Sequence, residues 1–309
     1  MTCCRSHLQL AFGHRRAKGS IPFRHTMTAS HLRPGSHFLA FGQLISLLTR
    51  YRQLTWEMTK REVSERYAGQ VLGTLWAVGH PVLLMALYVF IFAFVFPTRL
   101  GLGEDLPRSY VLYILAGLIP WITFADALNK STAVIIGNSG LVKQVAFPLE
   151  ILPVKVVLAT FVTQLVATPL LLLYALIFDP SGLPWSALAL PVLFGIQVLA
   201  MIGVAYLLSS VTVFVRDLRE LVQVFTTAGL FLAPILFLPA WLESAWKPLL
   251  WVLYLNPFSH LVWCYQDILY FGRVAHPFSW ALFIPFSVAM FYGGYRIFRK
   301  LKIVFGDLL

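Results

Sequence analysis

The sequence predicts an all-α integral membrane protein with six transmembrane helices, preceded by an amphipathic helix. Charged residues make up only 12% of the 309 residues, about half the usual share in soluble domains. Hydrophobic residues reach 59%, and they gather in runs of about 20, the length that lets a helix cross a bilayer. Backbone groups in lipid must be bonded within the protein, and the period of these runs is not that of a barrel strand, so they predict helices.

Residues 1–43 are basic and contain no apolar core, so they do not read as a signal peptide. We expect this segment to be disordered or to precede the true start of the protein, for which Met27 is a candidate.

Residues 44–70 predict a helix lying in the membrane interface. Apolar residues recur every three or four positions on one face of it, at Leu44, Leu47, Tyr51, Leu54 and Met58. Glu62 and Glu65 occupy the continuation of this stripe, so a bend or a change of environment is expected near Met58–Arg61. A basic, Trp-containing helix of this kind favours the cytoplasmic membrane surface; an ordinary helix flanking a span is the alternative. The residues expected to carry the contact are Arg50, Arg52, Trp56, Lys60, Arg61 and Arg66.

The six spans lie within residues 71–309, between the ionised residues. Pro234, inside the fifth span, predicts a kink and a freed carbonyl that neighbours must bond. The predicted spans are Val71–Phe96, Ser109–Ala125, Val156–Phe178, a stretch within Leu183–Val215, Leu221–Leu242 and Val274–Tyr295.

A further apolar run, Pro248–Gln266, is broken at Asn256-Pro257, where proline disfavours a continuous helix. A seventh span would also move the basic C-terminus outside, against the positive-inside tendency. We therefore expect two short helices that dip into the outer leaflet without crossing it, and both termini in the cytoplasm.

The loop after the second span, GNSGLVKQVAFPLEILPVK, predicts a short helix of two turns over Leu141–Phe147. Asn138 provides a cap or turn, and Pro148 stiffens the far end. Apolar side chains facing the cytosol would suit docking into a partner, whereas a plain connecting loop would not need them. The candidate docking residues are Asn138, Leu141, Val142, Lys143, Phe147 and Pro148.

Two groups of charges lie near the spans. Asp126 and Lys130 are four residues apart, which favours a structural pair on one helical face. At the start of the fifth span, the charges either pair along the helix or face a lipid phosphate at the cytoplasmic entrance, and the sequence leaves both open. These charges are Arg216, Asp217, Arg219 and Glu220.

The chain carries no motif of soluble-enzyme chemistry: GxxxxGK[ST], HExxH, CxxC and GxSxG are absent from the sequence. We therefore expect a protein that is not an enzyme, hydrolyses no ATP alone and holds no metal. The net charge of +11 requires only contact with anionic lipid, not nucleic acid.

Aromatic residues make up 15% of the chain. Interfacial belts explain many of them, but aromatic rings also let the apolar faces of sugars slide past. The candidates for such a path are Tyr88, Phe92, Phe225, Phe231 and Phe237.

Several blocks together resemble the permease subunit of type-2 ABC exporters, most of all the branch that exports O-antigen, capsule or teichoic-acid polysaccharide. The resemblance extends from about residue 44 to the end. In order, the blocks are LLTRYRQLTWEMTKREVSERYAGQVLGTLWAVGHPVLLMALYVFIFAFVF, LVKQVAFPLEILP, VRDLRELVQVFTTAGLFLAPILF and YLNPFSHLVWCYQDILYFG.

The resemblance implies how such a chain works. An ABC ATPase subunit, which binds the ATP and Mg²⁺, would grip the interface helix at Arg50–Tyr67 and the coupling helix at Asn138–Phe147. Two copies would form a channel for a lipid-linked polysaccharide across the bacterial inner membrane. The broken Pro248–Gln266 region would form gate helices, with Asn256, Pro257 and His260 as gate residues.

Two alternatives stay open. One is an exporter of a drug or small lipid on the same scaffold. The other is a membrane-embedded glycosyltransferase or acyltransferase, for which Glu243, Asp267, His260 and His276 lack a recognisable catalytic spacing.

Overall fold

The computed structural model describes residue 46 and residues 49–95, 108–143, 147–180, 182–239 and 248–308. The predicted extension 1–43 lies outside these residues. In the described part the chain is helical and contains no strand, which confirms the all-α prediction. The helices are α1 (Arg52–Arg66), α2 (Trp76–Phe90), α3 (Tyr110–Gly137), α4 (Ser139–Val142), α5 (Ile151–Phe178), α6 (Leu190–Thr212), α7 (Leu218–Leu232), α8 (Pro248–Leu255), α9 (Pro257–Gln266), α10 (Pro277–Leu301) and α11 (Phe305–Leu308).

Five helical stretches among the described residues are long and apolar enough to cross a membrane, so the chain is a multi-pass membrane protein. They agree with the first, second, third, fourth and sixth predicted spans. The first matches its predicted boundaries to within two residues, whereas the second, third and sixth extend beyond theirs by a turn or more at one end. The stretches are Gly73–Val95, Tyr110–Gly137, Ile151–Phe178, Trp185–Thr212 and Pro277–Val304.

The fifth predicted span, Leu221–Leu242, is wrong in its extent. Helix α7 ends at Leu232 after 15 residues, about 22 Å, which is shorter than the ~30 Å hydrocarbon core. Pro234 ends this helix instead of kinking it, because proline pushes the preceding residue out of helical geometry, and Ala233 is extended with φ −112° and ψ 154°.

Two carbonyls in the irregular segment that follows this break are bonded from other helices. The Tyr113 hydroxyl and Gln266 Nε2 donate to the Pro234 carbonyl at 3.1 and 2.8 Å. The Tyr110 hydroxyl donates to the Leu236 carbonyl at 2.5 Å. The irregular segment is therefore compatible with membrane depth, because it is enclosed by protein.

Helix α3 is the centre of the fold, with 83% of its most apolar stretch buried. Helices α5, α6, α7 and α9 pack around it. Helix α2 is peripheral, with 11% of the corresponding stretch buried in this chain.

The run Pro248–Gln266 forms two short helices, as predicted. They are separated at Asn256, whose side-chain oxygen accepts a hydrogen bond from the Phe258 backbone N–H at 3.1 Å. Pro257 occupies the first position of α9, where its missing N–H leaves no bond unmade. We call α8 and α9 the gate helices.

Helices α6 and α10 cross in close contact at two glycines. A Cβ placed on Gly294 would lie 2.9 Å from the Gly203 carbonyl carbon and nearer still to its oxygen. Because lipid does not drive apolar helices together, membrane helices pack through such small residues.

We expect Gly294→Ala to destabilise the fold by about 1–3 kcal/mol, the usual cost of overpacking a tight contact. Gly293→Ala is the matched control, since a Cβ there meets nothing within 4 Å. Thermal unfolding of the two purified variants in detergent measures the difference. Equal melting temperatures would contradict the close crossing.

Candidate functional site

Helix α1 packs on the start of α5 through a face that its apolar stripe does not predict. Thr55 and Thr59 are buried, and their hydroxyls donate to backbone carbonyls one turn earlier. Glu62, one turn further along, pairs with Lys155 of α5 at 2.9 Å. Leu54 of the predicted stripe is left exposed.

The bend considered near Met58–Arg61 is absent, since α1 is one helix from Arg52 to Arg66. The change there is one of environment. Charged residues replace the apolar stripe here because Glu62 pairs with Lys155 of α5 and Arg66 pairs with Asp126 of α3. Both partners lie far away in sequence.

Arg66, at the end of α1, joins this helix to α5 and α3. Its Nη1 donates to the Thr163 hydroxyl at 3.1 Å, and its Nη2 lies 3.4 Å from the Asp126 carboxylate. Lys130 pairs with the same carboxylate at 2.7 Å, which confirms the predicted structural pair. We call Glu62, Arg66, Asp126, Lys130 and Lys155 the inner cluster, and the membrane side on which α1 lies the inner side.

The other predicted residues of the interface helix are exposed on α1 or just before it. Lys60 lies 5.5 Å above the Trp56 ring and pairs with Glu57 at 3.1 Å. Arg61 hydrogen-bonds Glu65 and so holds the pKa of that carboxyl below its ordinary value. The surface available to a partner or a lipid is thus formed by Arg50, Arg52, Trp56, Lys60 and Arg61, with Arg66 turned inward.

The predicted coupling helix is shorter than expected. Its described residues form one turn, α4, after Asn138, and Gln144, Val145 and Ala146 lie outside the described residues. The prediction of exposed apolar side chains is wrong for Val142, which is buried at 8% exposure. Leu141 and Phe147 are partly buried against the core, because this loop folds back on the helix ends.

Among the described residues of the loop, the exposed ones are small or polar. Lys143 and Gly140 face outward, and a Cβ on Gly140 would meet nothing within 4 Å. Asn138 donates from its side chain to the Val134 carbonyl at 2.7 Å, and Pro148 is partly buried beside Phe147.

Glu150, which the sequence did not single out, anchors the end of this loop. Its buried carboxylate is ion-paired with Lys302, just after α10, and its backbone carbonyl accepts a hydrogen bond from the Tyr206 hydroxyl at 2.9 Å. The loop is therefore joined to α6 and to the end of the last span.

The four charges before and within α7 are exposed, and none of them pairs with another described residue. Of the two alternatives that the sequence left open, pairing along the helix does not form. Arg216, Asp217, Arg219 and Glu220 all face away from the chain.

The five predicted channel aromatics do not form one surface. Tyr88 stacks with Phe92, which meets Tyr110 at 6.0 Å. Phe225, on α7, belongs to a second group with Trp121 and Phe258. Phe231 is 62% exposed, and Phe237 lies in the irregular segment after α7.

The gate helix α9 is fixed by buried polar contacts. The Tyr265 hydroxyl accepts from Gln164 Nε2 at 2.8 Å and donates to Gln197, and the two glutamines also bond each other. The His260 ring bridges the Ser279 hydroxyl and the Tyr254 carbonyl, each at 3.0 Å. The sequence analysis missed this network. Glutamines inside apolar runs are the feature that predicts it, because polar groups in lipid need partners.

Asp267 and His276, separate in sequence, meet at 2.7 Å. The arrangement does not resemble a free catalytic pair, because the second carboxylate oxygen accepts from the His276 backbone N–H and from Trp280 Nε1, each at 3.0 Å. Asp267 is buried at 1% exposure and joins the end of α9 to the start of α10.

The fold and these contacts define a helical membrane protein with a short helical turn between two spans on the inner side and a broken, anchored helix pair before its last span. The profile of the ABC-2 type transporter family matches residues 53–270, and the chain belongs to that family.

Curated relatives are similar over nearly their whole length. An O-antigen export system permease protein RfbA of Myxococcus xanthus is 27% identical over 265 residues, 86% of this chain and 98% of the relative. One from Klebsiella pneumoniae is 25% identical over 82% of this chain and 93% of its own. The polysialic acid transport protein KpsM of Escherichia coli is 22% identical, over 77% and 90%.

We expect Lys155→Glu to weaken the packing of α1, costing about 2 kcal/mol, less than the 3–5 of a fully buried pair because Glu62 is partly exposed. The double variant Glu62→Lys/Lys155→Glu should recover most of this loss. Thermal unfolding in detergent is the measurement. The swap of the exposed pair Arg61→Glu/Glu65→Arg serves as control, and failure of the Lys155 swap to recover stability would contradict the pairing.

Proposed function

We propose that this chain is the permease of an ATP-driven exporter that moves lipid-linked polysaccharide across the bacterial inner membrane. Two copies would enclose the path, and a separate ABC ATPase subunit would bind ATP and Mg²⁺. The relatives named for O-antigen export and polysialic acid transport support the substrate class.

The observation that carries the proposal is a polar stripe on α7. Glu220, Gln223 and Thr227 recur every three or four residues and are exposed, while Val222 and Thr226 are buried against the chain. Gln223 and Thr227 lie about one and two turns further along α7 than Glu220, which is in its first turn. Polar side chains within a membrane usually face a bundle interior or water.

A second copy with its own α7 opposite would enclose this stripe in an aqueous passage. A groove of about 420 Å³ already runs along it, bordered also by Val224, Ala228 and Phe231. Amide and hydroxyl groups can exchange hydrogen bonds with sugar hydroxyls, and aromatic rings can stack on sugar C–H faces. This mixture suits a polysaccharide better than an apolar drug or lipid.

The contact between Glu150 and Lys302 supports six crossings with both described ends on the inner side. It joins the beginning of α5 to the chain just after α10. Helices α5, α6 and α10 supply three crossings between those points, so residues 213–276 must cross once more. Helix α7, the irregular segment and the gate helices would together make that crossing.

The ATPase would act through the exposed face of α1 and the loop at Gly140 and Lys143. ATP can shift the permease between two conformations only by binding one of them better, through contacts on the inner side. Because Glu150 joins the loop to α6 and Lys302, a push there would reach α5, α6 and α10 together.

We expect Gln223→Leu/Thr227→Val to abolish surface polysaccharide, because the passage would lose its polar lining, while the protein remains folded in the membrane. Immunoblots of surface polysaccharide in cells lacking the native permease measure export. Leu221→Val on the same helix is the control. Normal polysaccharide with the double variant would contradict the channel role, and ATP-dependent export of a small lipid instead would favour the drug or small-lipid alternative.

We expect Gly140→Trp to block ATPase docking, since the added ring occupies open space on the loop without disturbing the core. Export and substrate-stimulated ATP hydrolysis of the reconstituted complex should both fall at least about tenfold, a change of ~1.4 kcal/mol. Gly195→Trp, also in open space but on α6, is the matched control. Undiminished hydrolysis and export in Gly140→Trp would refute the coupling role of this loop.

A further inference from the structure

A cavity of about 620 Å³ lies between the end of α1 and helices α2, α3 and α5. It is separate from the polar stripe of α7, and its volume is within the range of ligand-binding pockets, about 300–1,000 Å³. One end is lined by charged residues of the inner cluster and the remainder is mostly apolar. The apolar part includes Leu84, Met85, Leu115, Leu118, Ile119 and Ile122.

The charged end has a surplus of positive charge. Arg66 and Lys130 both border the cavity and share one carboxylate, that of Asp126, while Glu62 is engaged by Lys155. The inner cluster therefore holds three cations and two carboxylates. Arg66 Nη2 is buried, and although the Asp126 carboxylate lies 3.4 Å away, the atom makes no hydrogen bond with any described residue. A buried donor of this kind requires an acceptor in hydrogen-bond geometry.

The dimensions of the cavity match one leaflet of a bilayer. Asp126 and Leu115 are eleven residues apart on α3, which is about 17 Å along the helix, and the hydrocarbon core of one leaflet is about 15 Å deep. Asp126 is sixteen residues from Tyr110, so the charges lie about 24 Å from the opposite end of the helix, close to the inner boundary of the core.

We infer that this cavity binds an anionic phospholipid of the inner leaflet. Its phosphate lies against Arg66 and Lys130, and one acyl chain lies along α3 between Met85 and Leu118. A phosphate supplies the acceptor oxygens and the negative charge that the inner cluster lacks. The lipid fills the space between α2 and α3, where the peripheral span has few contacts of its own. This inference is independent of the proposed export function.

The test is native mass spectrometry of the full purified chain, without ATPase, titrated with phosphatidylglycerol, with diacylglycerol of the same acyl chains and with a polyprenyl phosphate. We expect one phosphatidylglycerol per chain. Arg66→Gln/Lys130→Gln should weaken this binding at least about tenfold, because two cations near the phosphate are lost. Lys60→Gln/Arg61→Gln, which removes equal charge from the exposed side of α1, should leave it unchanged.

Arg66→Gln/Lys130→Gln removes both ion-pair partners of Asp126 together with the two cations. Met85→Trp gives a second test that leaves these charges in place. It fills the apolar half of the cavity without changing a charge, and it should also displace the lipid. Equal binding of diacylglycerol, unchanged binding in both variants, or preference for the polyprenyl phosphate over phosphatidylglycerol would each overturn the assignment.

Discussion

Three consecutive polar residues at the end of α9 hold the transmembrane bundle together. Tyr265 bonds α5 and α6 through two glutamines, Gln266 bonds the broken segment after α7, and Asp267 bonds the start of α10. In lipid these groups have no water to replace a lost partner, so breaking one of these bonds would leave a buried polar group unpaired. Individual hydrogen bonds of this kind contribute only about 0.6–1.7 kcal/mol, but together they determine where a chain break can be tolerated.

The inner side is held by a different kind of interaction. Around Asp126 its contacts are ion pairs, and the side chains of Arg66, Asp126 and Lys130 are 21–35% exposed. Each exposed or half-exposed ion pair contributes little to the free energy of unfolding and can exchange partners at low cost. The fully buried contacts of Tyr265 and Asp267 cannot exchange partners in this way. A force applied on the inner side would therefore rearrange α1 and its neighbours before it disturbed the gate helices.

Local chemistry predicted much of this fold. The lengths of the apolar runs correctly predicted five spans, and Asn256-Pro257 correctly predicted the break between the gate helices. The failures share one cause, contacts between residues distant in sequence. Helix α7 can end early because Tyr113 and Gln266 bond the Pro234 carbonyl, and Val142 is buried because its loop folds onto the core. For the same reason the sequence showed that the stripe of α1 fails at Glu62 but could not reveal Lys155 as its partner.

Helix α3 separates the two candidate sites and connects them physically. Leu118 and Ile122 line the cavity beside α2, while Trp121 packs against Gly229 and Phe225 of α7, so close that a Cβ on Gly229 would clash with the indole. A lipid that binds one arrangement of α3 better than another would thereby also favour one position of the polar stripe. Since packed interiors resist gradual deformation, such a bias would act between discrete helix positions. Helix α3 thus contacts both the cavity proposed to bind lipid and α7, the helix that carries the polar stripe.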